Sequence, residues 1–368
     1  MGLPDGTSYN AYLIKGSEKT VLIDTVDPTM QDVLLNHLNE LSVKKIDYIV
    51  SHHAEQDHSG TIPVILEKYH QAKIITDPRC KSMLIDLLSI PEDRFVTVKD
   101  RETVSLGDKT LEFIYTPWVH WPETASTYLR EERILFSCDF FGAHLATSDL
   151  YVTDEWQAHE AAERYYAEIM MPFRTNIHHN LETLKAYKID IIATSHGPIY
   201  DKPEFILKAY HSWVFDEPKN IVVLPYISMH GSTHKMVDYF TEALVQKGVT
   251  VKLFDLTITD TGKLAIALVD AATAVFGAPT VLAGSHPSVA YAAFLTNALR
   301  PKLKFASVIG SYGWGGKTVE QLTGMLTSLK LEILPPVLCK GFPREADFKA
   351  LDSLAATIAQ KHKENNFV

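Results

Sequence analysis

Two different patterns of apolar and polar positions divide the chain. Up to about residue 215, apolar runs of strand length are separated by turns, with helical spacing at 30–41, 61–70 and 157–187. Several of the predicted strands end in polar clusters and helices lie between them, which predicts an αβ/βα sandwich. The strand-like runs are "YNAYLIKG", "TVLIDTVD", "KIDYIVS", "AKIITDP", "KTLEFIYTP" and "RILFSCDFFG".

Beyond the polar segment "FDEPKN" at 215–220, strands and helices alternate strictly. Five predicted strands are each followed by a helix, an order typical of a doubly wound five-stranded parallel sheet, which binds ligands at the carboxyl ends of its strands. We therefore expect two domains, at residues 1–217 and 221–368. The predicted strands are "NIVVLPY", "TVKLFDL", "VFGAP", "KFASVIG" and "LEILPPVL", and the predicted helices include 263–274 and 317–329.

Charge and cysteine content exclude several classes of protein. Before Asn220 there are 21 basic and 34 acidic residues, a balance of −13, and after it 14 and 11, a balance of +3, so the chain totals −10. An acidic chain lacks the basic surface that nucleic acids and anionic membranes require. Three scattered cysteines indicate a reducing, cytoplasmic location. The longest apolar stretch, 264–284, contains Asp270 and a Gly-Ala-Pro turn, so we expect no membrane span.

The segment "SHHAEQDHSG" at 51–60 concentrates metal-binding side chains directly after a predicted strand. A solvated polar loop is the alternative explanation. Three further candidate ligands elsewhere in the chain, His120, Asp139 and His196, also follow apolar runs, which argues against a solvated loop. His52 is a weaker candidate, since neighbours on an extended segment point in opposite directions. The seven candidate metal ligands are His53, Glu55, Asp57, His58, His120, Asp139 and His196.

These seven side chains comprise four imidazoles and three carboxylates, enough for two metal ions if one carboxylate bridges. A set of nitrogen and oxygen donors without thiolate suits iron, manganese or zinc, and the share of oxygen favours iron or manganese. The residue types therefore predict a binuclear site but leave the metal open.

The segment "SMHGSTHKM" at 228–236 lies between the first strand and the first helix of the second domain. Its hydroxyls and backbone N–H groups, together with the positive end of the helix dipole, are suited to a phosphate. Helix capping by Ser232 or Thr233 explains part of the pattern. Neither GxGxxG nor GxxxxGK[ST] occurs here, which argues against dinucleotide and nucleoside-triphosphate folds.

"HAEQDH" at 53–58 resembles the HxExDH signature of flavodiiron proteins, in which a metallo-β-lactamase-like domain is fused to a flavodoxin-like domain. Hydrolases with the first fold, such as glyoxalase II, typically have HxHxDH, with His at the position of Glu55. The segments "WVHWPET", "LFSCDFFG" and "SHGPIY" also resemble the family, and "SMHGSTHKM" resembles the flavodoxin phosphate loop.

The resemblance implies a ligand set for two iron ions. One iron would be held by His53, Glu55 and His120. The second would be held by Asp57, His58 and His196, with Asp139 as the bridge; in some members the histidine that matches His58 turns away from the metal.

The resemblance also implies FMN in the second domain. Tyr312 or Trp314 would stack on the flavin ring, although either aromatic could equally serve in a core or an interface. The residues expected to contact FMN are Ser228, Met229, His230, Gly231, Ser232, Thr233, Ala278, Pro279, Thr280, Val281, Gly284, Ser311, Tyr312, Gly313, Trp314, Gly315 and Gly316.

The implied function is reduction of O2 to water or of NO to N2O at the diiron site, with electrons delivered by FMN. A head-to-tail homodimer or a tetramer is expected, in which one subunit's flavin faces the other's irons. A rubredoxin-like protein or a reduced deazaflavin-type cofactor would be the external donor, because no rubredoxin-like CxxC pair occurs in the chain. Two alternatives are a hydrolase with a flavodoxin-like regulatory domain and a flavodoxin-type electron carrier.

Overall fold

The computed structural model describes residues 2–367, which divide into two compact units. The first comprises residues 3–166 and 173–214, and the second comprises residue 2 and residues 167–172 and 215–367. Within residues 2–367, no helix combines the length and the apolar character that crossing a bilayer would require.

The first unit contains two five-stranded sheets. The first sheet has the order β1-β2-β3-β4-β5 and is parallel except for the β1–β2 pair. The second has the order β10-β9-β8-β7-β6, in which only β10 and β9 are parallel. The strands are β1 Tyr12–Lys15, β2 Thr20–Ile23, β3 Tyr48–Val50, β4 Lys73–Thr76, β5 Phe95–Thr97, β6 Thr103–Ser105, β7 Thr110–Tyr115, β8 Ala125–Leu129, β9 Ile134–Cys138 and β10 Ile191–Thr194.

The core of this unit follows from the alternation of side chains along its strands. In β2, Val21 and Ile23 enter a buried cluster that also contains Phe113 and Phe136 of the other sheet, so the two sheets pack face to face. Leu22 points the other way into a second cluster, with side chains from α1, α3 and α4. The helices are α1 Gln31–Glu40, α2 Gln56–Ser59, α3 Ile62–Lys68, α4 Pro78–Leu88, α5 Glu155–Tyr165, α6 Arg174–Leu184 and α7 Glu204–Phe215.

The helical spacing over 157–187 corresponds to two helices rather than one. Helix α5 passes into a π-helical turn at Tyr166–Met170 and a 3-10 turn at Met171–Phe173 before α6 begins. Pro172 lacks a backbone N–H and its ring would clash with the preceding turn, so an unbroken α-helix cannot continue through it.

The second unit is a parallel sheet of order β12-β11-β13-β15-β16, in which β17 also pairs with β15. The sequence-based prediction of a doubly wound sheet is therefore confirmed, although its fifth strand is split and a short antiparallel β14 pairs with β13. The strands are β11 Lys219–Tyr226, β12 Thr250–Asp255, β13 Ala271–Val281, β14 Gly284–Ser285, β15 Phe305–Tyr312, β16 Glu332–Ile333 and β17 Val337–Lys340.

Five helices accompany this sheet, and two predicted helix ends were wrong. The helix predicted at 263–274 ends at Val269, and residues 271–274 open the buried strand β13. A strand buried on both faces has no period of two, so an apolar run there resembles a helix. The helix predicted at 317–329 ends at Gly324. The helices are α8 Ser232–Val245, α9 Thr261–Val269, α10 Pro287–Leu299, α11 Thr318–Gly324 and α12 Glu345–Glu364.

Candidate metal centre and flavin pocket

Strand ends in the first unit bring the seven predicted metal ligands together. Strand β3 leads into the loop and short helix α2 that carry four of them. Asp139 directly follows β9, His196 lies two residues beyond β10, and His120 lies in the loop after β7, where its backbone adopts a φ of 48°. Of the seven, His53, His58, Asp139 and His196 are buried.

Two of the histidine candidates lie beside one oxygen of Asp139. His120 Nε2 is 3.1 Å and His53 Nε2 is 3.6 Å from Asp139 Oδ2. Both nitrogens are also 3.2 Å from Glu55 Oε2. His53, Glu55 and His120 thus form one group whose donor atoms lie within 4.8 Å of one another.

The other oxygen of Asp139 faces the remaining candidates. His58 Nε2 is 3.0 Å and His196 Nε2 is 3.2 Å from Asp139 Oδ1. Asp57 completes this group, with Oδ1 3.4 Å from His58 Nε2 and Oδ2 3.3 Å from His196 Nε2. His58 therefore points toward the cluster, and Asp139 presents one oxygen to each group.

The unsatisfied atoms of the cluster fit a metal ion. Among residues 2–367, Asp57 Oδ1, His58 Nε2 and Asp139 Oδ1 are buried without a hydrogen-bond partner. His58 Nε2 and Asp139 Oδ1 lie 3.0 Å apart, and neither atom is satisfied by a hydrogen bond. Buried polar atoms left in this way are costly unless something else binds them. Nitrogen and carboxylate donors aimed at common points are suited to iron.

Hydrogen bonds outside the cluster orient two of its histidines. His53 Nδ1 donates to Glu123 Oε1 at 2.7 Å, and His196 Nδ1 donates to the Ser8 carbonyl at 2.7 Å. Because both acceptors require the proton on Nδ1, Nε2 of each neutral ring carries a lone pair directed at the cluster.

The carboxylates shift the proton affinities of the cluster. Burial opposes charge on His53, but Glu123 and Glu55 outweigh it and raise its pKa to about 10. His196 behaves alike: Asp139 and Asp57 overcome burial and raise its pKa to about 10. Burial also opposes charge on Asp139, yet the surrounding histidines hold its pKa well below the usual range. The cluster thus stabilises paired charges in a buried site.

His52, the weaker candidate, points away from the two groups. Its Nδ1 is 2.7 Å from Asp24 Oδ2, and its Nε2 is 2.7 Å from Thr127 Oγ1. Asp24 also accepts from the His52 backbone N–H at 2.9 Å. Both ring nitrogens are occupied, so His52 anchors the start of the ligand loop instead of contributing to it.

A cavity of about 330 Å³ lies at the carboxyl ends of β11, β13 and β15 in the second unit. Its volume falls within the range typical of small-ligand pockets. Eleven of its lining residues were predicted from sequence to contact FMN, and Gly341 was not. The cavity is lined by Ser228, Met229, His230, Ser232, Thr233, Pro279, Thr280, Val281, Ser311, Tyr312, Gly313 and Gly341.

Six residues of the predicted flavin loops lie outside this lining. Trp314 has 80% of its surface exposed, whereas Ala278 is completely buried in β13. Gly231 is the N-cap of α8 with φ 86°, a conformation in which a side chain would be strained. The other three are Gly284, Gly315 and Gly316.

The start of α8 fits the phosphate of FMN. Among the described residues, no side chain caps this fourteen-residue helix. Its first N–H groups therefore have no side-chain acceptor. Ser232 and Thr233, at the start of the helix, line the cavity, and Thr233 Oγ1 lies 3.2 Å from Ser311 Oγ. Uncapped amides and hydroxyls at a helix start are the groups that bind phosphate.

The chain is similar to several known proteins. The family model described as ODP family beta lactamase matches residues 7–197. A nitric oxide reductase from Moorella thermoacetica is 35% identical over 97% of this chain and 91% of its own length. The solved rubredoxin oxygen:oxidoreductase from Desulfovibrio gigas has a TM-score of 0.94 at 32% identity and covers 99% of this chain and 93% of that one.

The flavodiiron protein from Giardia intestinalis has a TM-score of 0.89 at 27% identity and covers 98% of this chain and 92% of that one. The chain belongs to the flavodiiron protein family. Family membership confirms both the resemblance stated from the sequence and the two predicted folds.

Several residues that contact the metal ligands of this flavodiiron protein were not predicted from its sequence. Glu123 stands three positions after His120, in "WPET", and a carboxylate so near a ligand was a usable signal. The contact with the Ser8 carbonyl cannot be predicted from the sequence, because every residue has a backbone carbonyl. Tyr165 is buried with its ring 5.9 Å from that of His196, and the ring of His144 contacts both.

Proposed function

We propose that the chain is an oxidoreductase that reduces O2 to water, NO to N2O, or both, at a diiron site supplied with electrons by FMN. The observation that carries the proposal is that the two carboxylate oxygens of Asp139 face different ligand groups. One oxygen lies 3.1 Å from His120 Nε2, and the other lies 3.0 Å from His58 Nε2. A carboxylate shared in this way suits two adjacent metal ions. Membership of the flavodiiron family supports the same reaction class.

The metal ligands proposed are the seven predicted from sequence. His53, Glu55 and His120 would hold one iron, and Asp57, His58 and His196 the other. When bound, the two irons supply the binding site for the diatomic substrate and two electrons, and FMN supplies the remaining electrons. The three carboxylates carry three negative charges, which offset much of the charge of two ferrous ions in a buried site.

The chain's own residues would hold FMN through two kinds of contact. The N–H groups and hydroxyls at the start of α8 would bind the phosphate. The ends of β13 and β15, where Thr280 and Tyr312 line the cavity, would flank the flavin ring. Two residues of the cavity lining, Met229 and Gly313, are exposed, so the bound flavin would lie near the protein surface.

We further propose that residues 1–217 form the diiron domain and residues 221–368 the FMN domain. The functional unit would be a head-to-tail homodimer or a tetramer. The external donor would be a rubredoxin-like protein or a reduced deazaflavin. The carboxylate of Glu55, where related hydrolases have His, and the oxidoreductase names of the relatives argue against the hydrolase alternative.

Anaerobic stopped flow tests the proposed reaction. Protein reconstituted with FMN and iron is reduced, mixed with O2 or NO, and compared with an iron-depleted sample of equal flavin content. We expect iron-dependent reoxidation of the flavin, with N2O from NO and no accumulation of hydrogen peroxide from O2. Equal reoxidation rates with and without iron would refute a diiron reductase and favour a simple electron carrier.

A further inference from the structure

The two halves of the metal cluster differ in the groups that accept hydrogen bonds from their histidines. His53 donates from Nδ1 to a carboxylate, Glu123, whereas His196 donates from Nδ1 to a neutral carbonyl, that of Ser8. The two bonds have the same length, 2.7 Å, so the difference is one of charge and not of distance.

The Glu123 side chain is fully buried, and so is that of His53. One oxygen, Oε1, accepts both from His53 Nδ1 and from the Ala54 N–H at 3.1 Å. Among residues 2–367, the other oxygen, Oε2, has no hydrogen-bond partner. A buried carboxylate with one unsatisfied oxygen is destabilising by itself. Anchoring the loop alone would need only a neutral acceptor such as glutamine.

We propose that Glu123 makes the two iron positions unequal, so that the iron held by His53, Glu55 and His120 is the more electron-rich of the pair and has the lower reduction potential. The inference rests on the diiron site proposed above and names a positioning residue for it. Glu123 contacts neither metal nor substrate and acts through the His53 ring.

The physical reason is the effect of a negative acceptor on imidazole. A carboxylate that accepts from Nδ1 draws the proton toward itself, which raises the electron density and basicity of Nε2. A more basic donor stabilises the ferric ion more than the ferrous ion. A carbonyl, which carries only a partial charge, does the same to a smaller degree for His196.

The count of charges points in the same direction. Each half of the cluster has one carboxylate of its own, Glu55 or Asp57, and they share Asp139. Glu123 adds a further buried negative charge on the side of His53 only. Without Glu123 the two donor sets are chemically alike, each with two imidazoles and one carboxylate.

Glu123→Gln is the decisive variant, because glutamine has the same shape and can still accept from His53. The protein is loaded with iron and FMN, and the mixed-valence signal is followed by electron paramagnetic resonance through a redox titration. We expect the lower of the two iron potentials to rise and the upper one to stay nearly unchanged. The interval over which the mixed-valence state exists should therefore narrow.

Iron release to a chelator gives a second readout. Substitution of an outer residue that accepts a hydrogen bond from a metal ligand typically weakens metal binding by about 10- to 100-fold. We expect a weakening of this size for one of the two irons in Glu123→Gln, and a smaller one in Glu123→Asp, which keeps the charge. Equal weakening of both irons would contradict the proposal.

Asp77→Asn is the matched control. Asp77 is a buried carboxylate whose charge interacts with that of Glu123, but its oxygens accept from backbone N–H groups at the start of α4. Asparagine caps helices equally well. If the iron reduction potentials shifted as much in Asp77→Asn as in Glu123→Gln, the loss of any nearby negative charge would explain the shift. The proposed role of the hydrogen bond from His53 to Glu123 would then be wrong.

The same measurements separate this inference from the proposed function. Wild-type protein that binds no pair of irons would contradict the diiron site itself. Wild-type protein with two irons, combined with unchanged potentials in Glu123→Gln, would contradict only the asymmetry proposed here.

Discussion

Two buried histidines, His53 in the first unit and His362 in the second, behave oppositely. In the metal cluster, carboxylates raise the pKa of His53 to about 10 in spite of its burial. In the second unit, burial lowers the pKa of His362 to about 4, since its partners are the Asn220 amide oxygen and the Thr273 hydroxyl. Both side chains are almost fully inaccessible. The charge of a buried histidine is therefore decided by the partners beside it and not by depth.

The two candidate sites also differ in the groups from which they are built. The metal cluster is built from seven charged or titratable side chains, and its chemistry depends on each of them. The flavin pocket is built largely from backbone, hydroxyls and glycine conformations at strand ends. Substitutions in the first unit should therefore cause large and specific losses, and those in the second should cause graded ones.

The largest effect is expected from Asp139→Asn. Asparagine keeps the shape but cannot present a negative oxygen to each group, so both irons should bind more weakly by more than the roughly 100-fold that an outer partner is worth. FMN content should stay at the wild-type level. Iron analysis and the flavin absorbance spectrum of the purified variant measure both.

Glu112→Gln is a suitable comparison for that variant. Glu112 is another largely buried carboxylate of the first unit, but its partners are Arg130 and Tyr187. It should retain its iron. If Asp139→Asn also retained two irons, the assignment of Asp139 as the bridge would be wrong.

The stability of the flavin unit should depend on His362 at acid pH. The folded pKa of about 4 lies below the value of about 6.5 in the unfolded chain, so the unfolded state binds more protons between these values. Stability is fully present above pH 6.5 and is lost as the pH falls to 4, by up to about 3 kcal/mol. Urea unfolding followed by the fluorescence of released FMN reports on this unit.

In His362→Gln the neutral amide can still donate to Asn220 and accept from Thr273, so the acid-dependent loss should become smaller. If the free energy of unfolding of this variant depended on pH in the same way as that of the wild type, burial of His362 would not be the cause of the acid-dependent loss.

Gly231→Ala should separate backbone conformation from side-chain chemistry in the flavin pocket. Gly231 has φ 86° and open space where the methyl group of alanine would lie, so the cost is conformational, roughly 1 to 2 kcal/mol. Because Gly231 is the N-cap of α8, the distortion should weaken FMN binding roughly tenfold, which corresponds to about 1.4 kcal/mol. Flavin titration of the apoprotein measures the change.

Gly248→Ala is the control, since Gly248 has φ 77° and equally open surroundings but lies after α8. It should lose similar stability without losing FMN affinity. Equal losses of affinity in both variants would mean that the unit responds to general destabilisation.

The smallest effects concern the two aromatic candidates for flavin stacking. Tyr312 lines the cavity, whereas Trp314 lies outside its lining and is 80% exposed. Removal of a stacked ring costs about 1 kcal/mol, so Tyr312→Ala should weaken FMN binding about fivefold. Trp314→Ala should change the FMN dissociation constant by less than about twofold. The reverse order would assign stacking to Trp314.

The sequence pattern predicted the strands with clear apolar runs, but it missed others. Strand β8, Ala125–Leu129, is buried at all five positions, yet its sequence "ASTYL" contains three hydroxyl side chains. Helix α4 was missed although Asp77 and Pro78 form a typical helix start. These elements are defined by their neighbours in the fold, and single-sequence periodicity does not record those neighbours.

The amino-acid sequence alone determined the class of each unit and the identity of the candidate ligands, because side-chain period and donor type are local properties of the chain. The tertiary structure decided which oxygen of Asp139 faces which histidines, and that Glu123 and the Ser8 carbonyl stand behind them. It likewise brought Gly341 to the flavin cavity. These are contacts between residues far apart in sequence, and only the packing of whole sheets sets their distances.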